Sequence, residues 1–239
     1  MKLYIVLAII LSVHLQARIG ESKQLLVVTT DDWNSSSGKM QRYQRDRNQW
    51  QMMGKPIEIK LGRNGLGWGI GLHHIPKDAP YIKKEGDGRS PAGIFKLKQA
   101  FGYAPFKIAY PYHVYQESDH CVDDVHSLYY NKIIDTTKVV SDDHSHELMK
   151  FSENYYAYGI VVDHNGIAQG ERPVKGAGSC IFIHIKNIPT AGCTVMFESE
   201  MKKVLQWLDP DAEPLLIQGT KKVVDDLWKE VDGHNEFTR

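Results

Sequence analysis

The residues best suited to covalent chemistry lie in one stretch, residues 180–195, with the sequence CIFIHIKNIPTAGCTV. A cysteine and a histidine held together form a typical nucleophile and base for acyl transfer. Here His184 precedes Cys193 by nine residues. Gly192 lets the chain turn sharply before Cys193, and it lets a substrate carbonyl approach closely. The residue types therefore predict a cysteine nucleophile, Cys193, with His184 as its base.

A strand, a turn and a helix are expected to position this pair. The first half of the stretch alternates, so His184 falls on the strand face opposite to that of three isoleucines: Ile181, Ile183 and Ile185. We expect a helix to begin one to three residues after Cys193, because apolar residues recur at helical spacing over 197–208. The N–H groups at the start of such a helix stabilise a thiolate and can hold an oxyanion.

The rest of the chain is predicted to be mostly β, or α+β by strict count. The architecture expected is a β-sandwich or mixed sheet, with one helix directly after Cys193. Residues 117–154 are polar and irregular, with short helical pieces expected, and one short helix is expected in the tail after residue 219. Further strands are predicted at 24–30, 41–50, 57–61, 93–101, 158–166 and 214–219.

The first residues have the composition of an export signal. One lysine precedes an apolar run over residues 3–13, which is too short to span a bilayer comfortably. We predict a signal peptide over residues 1–17. Leu15 suits a cleavage site poorly, so an uncleaved N-terminal anchor remains the alternative, and any membrane contact would depend on it.

Export changes how the three cysteines are interpreted. An odd number in an oxidising compartment indicates one disulfide and one free thiol, and three pairings are possible. The pair Cys121 and Cys180 is the candidate that leaves Cys193 free. It would close a loop of about 60 residues, worth about 4 kcal/mol in the chain-entropy model.

Charge balance and histidine spacing argue against two kinds of ligand, nucleic acid and metal. The chain has 239 residues, of which 29 are basic and 29 acidic, so its formal net charge is zero. Such a balance gives no electrostatic reason to expect nucleic acid. The neighbouring histidines at 73–74 and 144–146 lack the spacing of a zinc motif, so we predict no metal site.

Three motifs together point to a family. They are TAGC at 190–193, His184 on the strand before it, and KKEGDGRSPAGIFKL at 83–97. In this order the chain resembles the L,D-transpeptidase (YkuD-like) catalytic domain family, which acts on bacterial peptidoglycan. The resemblance covers residues 25–218 and leaves 219–239 as a tail. The chain departs from the family at two positions: Val195 stands where an arginine often follows the cysteine, and Ile185 where a glycine often follows the histidine.

The resemblance implies an exported enzyme of the bacterial periplasm or cell envelope that needs no cofactor. Cys193, activated by His184, would attack the amide between an L-centre and D-alanine in a tetrapeptide stem. The thioester acyl-enzyme would then pass to an amine. Gly192 and Thr190 would shape the turn and the oxyanion site. The candidate residues of the substrate cleft are Glu85, Asp87, Arg89, His164 and Asn165.

Alternatives remain at each level. The segment 83–90 could be a solvated hairpin turn, and His164 and Asn165 could serve only to form a turn. For the whole protein, the alternatives are an L,D-carboxypeptidase that uses water as acceptor and a non-catalytic scaffold that binds the cell wall. A thiol oxidoreductase using Cys180 and Cys193 is disfavoured, because the chain has no CxxC motif.

Overall fold

A computed structural model describes residues 19–47, 49–166 and 172–232. The predicted leader, residues 1–17, lies outside the described residues. The strands of the described part are β1 (Gln24–Thr30), β2 (Ser37–Asp46), β3 (Gln49–Lys60), β4 (Leu66–Trp68), β5 (Ser90–Gly102), β6 (Tyr112–Val114), β7 (Asp119–Val122), β8 (Ile133–Asp135), β9 (His146–Leu148), β10 (Tyr158–Val162), β11 (Phe182–Ile185), β12 (Thr194–Met196) and β13 (Leu215–Thr220). The helices are α1 (Glu198–Trp207) and α2 (Lys221–Asp232).

Eight strands close into a barrel. Their order is β10-β11-β12-β3-β2-β1-β13-β5, and β5 pairs back onto β10 to complete the ring. The sheet is mixed, because β1 runs parallel to β13 and β11 parallel to β12, while β10 and β12 pair antiparallel with β5 and β3. The predicted mostly-β class and mixed sheet are therefore confirmed. The sheet closes on itself, however, and is not a two-layered sandwich.

The side chains of β1 alternate between the inside and the outside of the barrel wall, and both sides are packed. Leu26 and Val28 join a core cluster to which every barrel strand contributes, so this cluster fills the interior. Leu25 and Val27 join a second cluster on the outside of the wall, which α2 covers. Both faces of the strand are apolar because both are packed. The tail helix predicted from sequence is thus present, and it buries four apolar side chains: Val223, Val224, Leu227 and Val231.

The helix expected immediately after Cys193 begins later than predicted. Residues 194–196 form β12, which pairs with β11 on one side and with β3 through Val195 and Lys60 on the other. Only then does α1 begin, at Glu198, and it packs Met201, Val204 and Leu205 into the barrel core. The prediction that the helix N-terminus lies beside Cys193 is wrong, because hydrogen bonds to two neighbouring strands keep the chain extended there.

A three-stranded sheet, β8-β7-β9, lies outside the barrel within the segment predicted to be irregular. The helical pieces expected there are absent except for a short 3-10 turn at Asn154–Tyr156. A disulfide joins Cys121 of β7 to Cys180, which lies two residues before the start of β11. The candidate disulfide pair is therefore bonded, and Cys193 is the free cysteine. The bond fastens the small sheet to the barrel wall that carries His184.

In the described part of the chain, no helix is both long and apolar enough to cross a membrane.

Candidate active site

Cys193 and His184 lie on the same outer face of the barrel wall. Ile183 points into the barrel core, so its neighbours Phe182 and His184 point outward. The parallel register pairs Ile183 with Thr194, which places Cys193 beside Phe182 and diagonally next to His184. The predicted opposition of the isoleucine and histidine faces is confirmed. Strand pairing thus brings together two residues that the turn at 186–192 separates in sequence.

The turn before Cys193 is fixed by Thr190. The Thr190 hydroxyl donates to the backbone carbonyl of Cys193 (2.6 Å) and accepts from the Gly192 N–H (3.1 Å). The same carbonyl accepts from the Ser90 hydroxyl (3.3 Å). The Gly192 N–H is therefore occupied, whereas the Cys193 N–H has no acceptor among the described residues. The Cys193 N–H is therefore the backbone donor at this turn that remains available to an oxyanion.

The thiol of Cys193 has two weak partners. Its sulfur accepts from the Phe182 N–H (3.4 Å) and donates to the Cys180 carbonyl (3.5 Å). The side chain is 7% exposed.

The tautomer of His184 follows from its neighbours. Nδ1 lies 3.1 Å from the backbone carbonyls of both Tyr155 and Ile185. A carbonyl oxygen only accepts, so Nδ1 must carry the proton, and in the neutral ring Nε2 has a free lone pair. The Tyr156 ring packs edge-on against the imidazole, with centroids 4.7 Å apart, and restricts its rotation. His184 is thus oriented as a base, although no hydrogen bond joins its Nε2 to Cys193 Sγ in this structure.

Burial keeps both groups neutral. It lowers the pKa of His184 to about 4, and it raises the pKa of the Cys193 thiol far above its ordinary value. The nearby Glu147 carboxylate raises the Cys193 pKa further, while the Phe182 N–H opposes the shift. The resting pair is therefore a thiol and a neutral imidazole, not a thiolate and an imidazolium. The expectation that a helix terminus lowers the pKa of Cys193 is wrong.

Glu147 and Tyr156 form a buried pair next to the candidate base. The Tyr156 hydroxyl donates to Glu147 Oε1, and burial raises the pKa of both groups, that of Glu147 to about 7. Glu147 reaches this position from β9 of the small sheet. The small sheet therefore contributes a titratable group to the wall of the site.

A cavity of about 450 Å³ opens in front of these residues. It runs between the barrel wall, the loop around Lys83 and the small sheet. Both candidate catalytic residues line it, together with the predicted turn residues Thr190 and Gly192. Besides the candidate pair, the titratable side chains along its wall include those of Lys83, Glu85, Asp123, His146, Glu147 and Lys186.

Of the five predicted cleft residues, Glu85 lines this cavity. Its Oε2 accepts from the hydroxyls of Tyr130 (2.6 Å) and Ser179 (2.7 Å). These contacts tie the loop at 83–87 to the segment that precedes β11. Glu85 therefore borders the site while it also holds two of its walls together.

Asp87 and Arg89 stand behind the cavity wall. Asp87 Oδ1 forms an ion pair with Lys83 Nζ (2.6 Å) and accepts from the Arg89 N–H (2.9 Å). The Arg89 guanidinium donates to the carbonyls of Trp33 (3.1 Å) and Leu66 (2.8 Å). Neither residue lines the cavity; they hold the loop that carries Lys83 and Glu85.

His164 and Asn165 form a buried turn away from the cavity. His164 Nδ1 accepts from the Ile70 N–H (3.2 Å), and burial lowers its pKa to about 3. Asn165 has φ 53° and donates to the carbonyls of Val174 and Gly178. These contacts match the turn-forming alternative, and they position the chain that leads to β11.

Sequence reasoning missed several side chains of the cavity, above all Glu147, Tyr156 and Lys186. Glu147 and Tyr156 come from a polar segment without periodicity, so no sequence signal marked them. Lys186 follows His184 by two residues, and period-two alternation could have placed it on the same side of the wall.

A metal site has no support in the part of the chain that the structure describes, where no group of three or more potential ligands is arranged around a common point.

Comparison with known proteins does not identify a family for the chain. No protein-family model and no curated protein sequence matches the chain. Among solved structures, Bd1075 from Bdellovibrio bacteriovorus is similar with a TM-score of 0.41 and 14% identity, over 88% of this chain and 56% of that one. The helical cell shape determining protein Pgp2 from Campylobacter jejuni is similar with a TM-score of 0.38 and 13% identity, over 88% of this chain and 55% of that one. This chain thus spans about half the length of each, and such low similarity does not establish a shared function.

Proposed function

We propose that the protein is a peptidoglycan L,D-transpeptidase that uses Cys193 as nucleophile and His184 as general base. The observation that carries the proposal is that the free cysteine and a histidine with an available Nε2 share one wall of one cavity. The resemblance of residues 83–97 and 190–193 to the YkuD-like family supplies the substrate class. The disulfide supports an exported location, because such bonds persist in oxidising compartments.

The resting protonation states determine the first step. Because both groups are neutral, His184 Nε2 removes the thiol proton as Cys193 Sγ attacks the carbonyl between the L-centre and D-alanine. The Cys193 N–H donates to the oxyanion that forms. The intermediate collapses to a thioester, and the imidazolium returns its proton to the departing amine of D-alanine. In the second step His184 removes a proton from the acceptor amine as it attacks the thioester, and the thiol is restored.

Incubation with purified disaccharide tetrapeptides, followed by mass spectrometry, tests the reaction. A transpeptidase forms cross-linked dimers with loss of D-alanine, whereas a carboxypeptidase forms only the tripeptide and D-alanine. Cys193→Ala should abolish both products. His184→Ala should slow the reaction by about 10²- to 10⁴-fold, the usual contribution of a general base.

Two results would overturn the assignment. Turnover that survives in Cys193→Ala would place the nucleophile elsewhere. Binding of the muropeptide without turnover, in the wild type and in Cys193→Ala alike, would favour the non-catalytic scaffold.

A further inference from the structure

One cation in the cavity has no hydrogen-bond or ion-pair partner among the described residues. The Lys186 ammonium lies 4.6 Å from the centroid of the Tyr155 ring, and it forms no ion pair or hydrogen bond with any described residue. The other lysine of the cavity wall, Lys83, is neutralised by Asp87 and also donates to the Lys84 carbonyl (2.7 Å). The aromatic face holds the Lys186 ammonium in place. The Lys186 charge lowers the pKa of the nearby Glu147, but no carboxylate of the described residues lies within ion-pair distance of the ammonium.

Lys186 lies near the two candidate catalytic side chains. It lies two residues after His184 and one past the end of β11, and its backbone N–H continues the pairing by donating to the Met196 carbonyl (3.1 Å). Burial is the main cause of the pKa shifts of His184 and Cys193, and the Lys186 charge contributes to lowering the pKa of each. The ammonium is therefore within electrostatic range of both candidate catalytic side chains.

The proposed substrate brings a charge that this site must accommodate. The residue cleaved from the stem is C-terminal and carries a free carboxylate close to the scissile amide. A carboxylate taken into a partly dry cavity needs a charged donor, especially next to acidic side chains such as Glu147 and Asp123. Val195 cannot supply one, because it is apolar, fully buried and paired with Lys60 in the barrel wall.

We propose that Lys186, held over the Tyr155 ring, binds the terminal carboxylate of the stem peptide and makes the protein selective for stems that end in a free acid. This assignment rests on the proposed function of the site. It makes Lys186 a residue of substrate specificity, and it predicts that amidation of the terminal residue weakens binding.

The experiment compares three stem peptides. One ends in free D-alanine, one ends in D-alanine amide, and one keeps the free terminus but has lysine in place of diaminopimelate, which removes the side-chain carboxylate of diaminopimelate. The kcat and KM are measured for the wild type, Lys186→Met, Lys186→Arg and Lys202→Met. Lys202 is a matched control, because its ammonium also lies 4.6 Å from a tyrosine ring, that of Tyr158, but on α1 outside the cavity.

Loss of a charge-assisted hydrogen bond predicts that Lys186→Met raises KM for the free-acid peptides about 10- to 100-fold. The KM for the amide should stay within about twofold, so that discrimination between acid and amide disappears. Lys186→Arg should keep most of the discrimination between acid and amide, and Lys202→Met should behave as the wild type. Discrimination that persists in Lys186→Met, or that disappears only for the diaminopimelate carboxylate, would overturn the proposal while leaving the transpeptidase assignment intact.

Binding to the Cys193→Ala protein separates this proposal from the proposed function. Calorimetric titration with the free-acid and amide peptides needs no turnover. If the wild type cleaves neither peptide, the transpeptidase assignment fails. The role of Lys186 is then decided by whether tighter binding of the acid is lost in the Cys193→Ala, Lys186→Met double variant: loss supports the role, and retention refutes it.

Discussion

Replacing His184 with glutamine should make the folding stability less sensitive to acid. The imidazole is 4% exposed, and burial lowers its pKa from 6.5 to about 4. The folded protein therefore keeps the ring neutral at pH 5, while the unfolded chain protonates it. A group whose pKa is lower in the folded state stabilises the fold above its unfolded pKa, and this contribution is lost as the pH falls toward the folded value.

Linkage converts the shift into a free energy. Between pH 7 and pH 5, His184 alone should remove about 2 kcal/mol from the free energy of unfolding, and the loss should level off at about 3 kcal/mol below pH 4. Glutamine does not titrate, so the difference in stability between wild type and His184→Gln should shift by about 2 kcal/mol in favour of the variant. Glu147 acts in the opposite sense, because its raised pKa gives stability at low pH that is lost as the pH rises through about 7. Its contribution is common to both proteins and cancels in the difference.

Urea unfolding at pH 5, 6 and 7, followed by tryptophan fluorescence with the disulfide intact, measures this difference. The control is His113→Gln, which makes the same replacement at an exposed histidine. If the difference between wild type and His184→Gln is the same at pH 5 and pH 7, then His184 titrates alike in the folded and unfolded states. The account of a neutral base fixed by two carbonyls would then be incorrect.

Other variants test the rest of the site. Alkylation of Cys193 should be slow at pH 7 and its rate should rise without a plateau through pH 9, since burial raises the thiol pKa; a plateau near pH 7 would indicate a preformed thiolate. Thr190→Val removes two hydrogen bonds of the turn, and thermal unfolding should show a loss of about 1–3 kcal/mol together with reduced turnover. Arg89→Met should destabilise the fold by about 1–3 kcal/mol in the same assay, yet leave KM for the stem peptide nearly unchanged, because Arg89 lies behind the wall. The double variant Cys121→Ser, Cys180→Ser opens a loop with a sequence separation of 59 and should lose about 4 kcal/mol in urea unfolding; an unchanged midpoint would show that the bond constrains little.

Period-two alternation predicted the local geometry of the site well. It placed His184 opposite Ile183, and those faces depend only on strand geometry. It could not distinguish a sandwich from a barrel, because closure depends on the long-range pairing of β10 with β5. The start of α1 was misplaced because β12 is three residues long, too short for a pattern to reveal.

The cleft residues were harder to predict because a motif gives residue types and not the directions of side chains. In the loop at 83–89 the turn aims Glu85 into the cavity and Asp87 back toward its own backbone. Strand β9 of the small sheet has only three residues, and two of them are polar, so nothing in the sequence indicated that it would wall the site.

The position of β13 has a consequence for how the chain acquires its shape. This strand lies between β1 and β5, yet it is formed by residues close to the C-terminus. Until Leu215–Thr220 pair with them, β1 and β5 each keep one edge unpaired. The barrel therefore closes only when this segment, late in the described chain, pairs with both strands. A protein truncated before Leu215 should aggregate through those edges, and should not settle as a smaller domain.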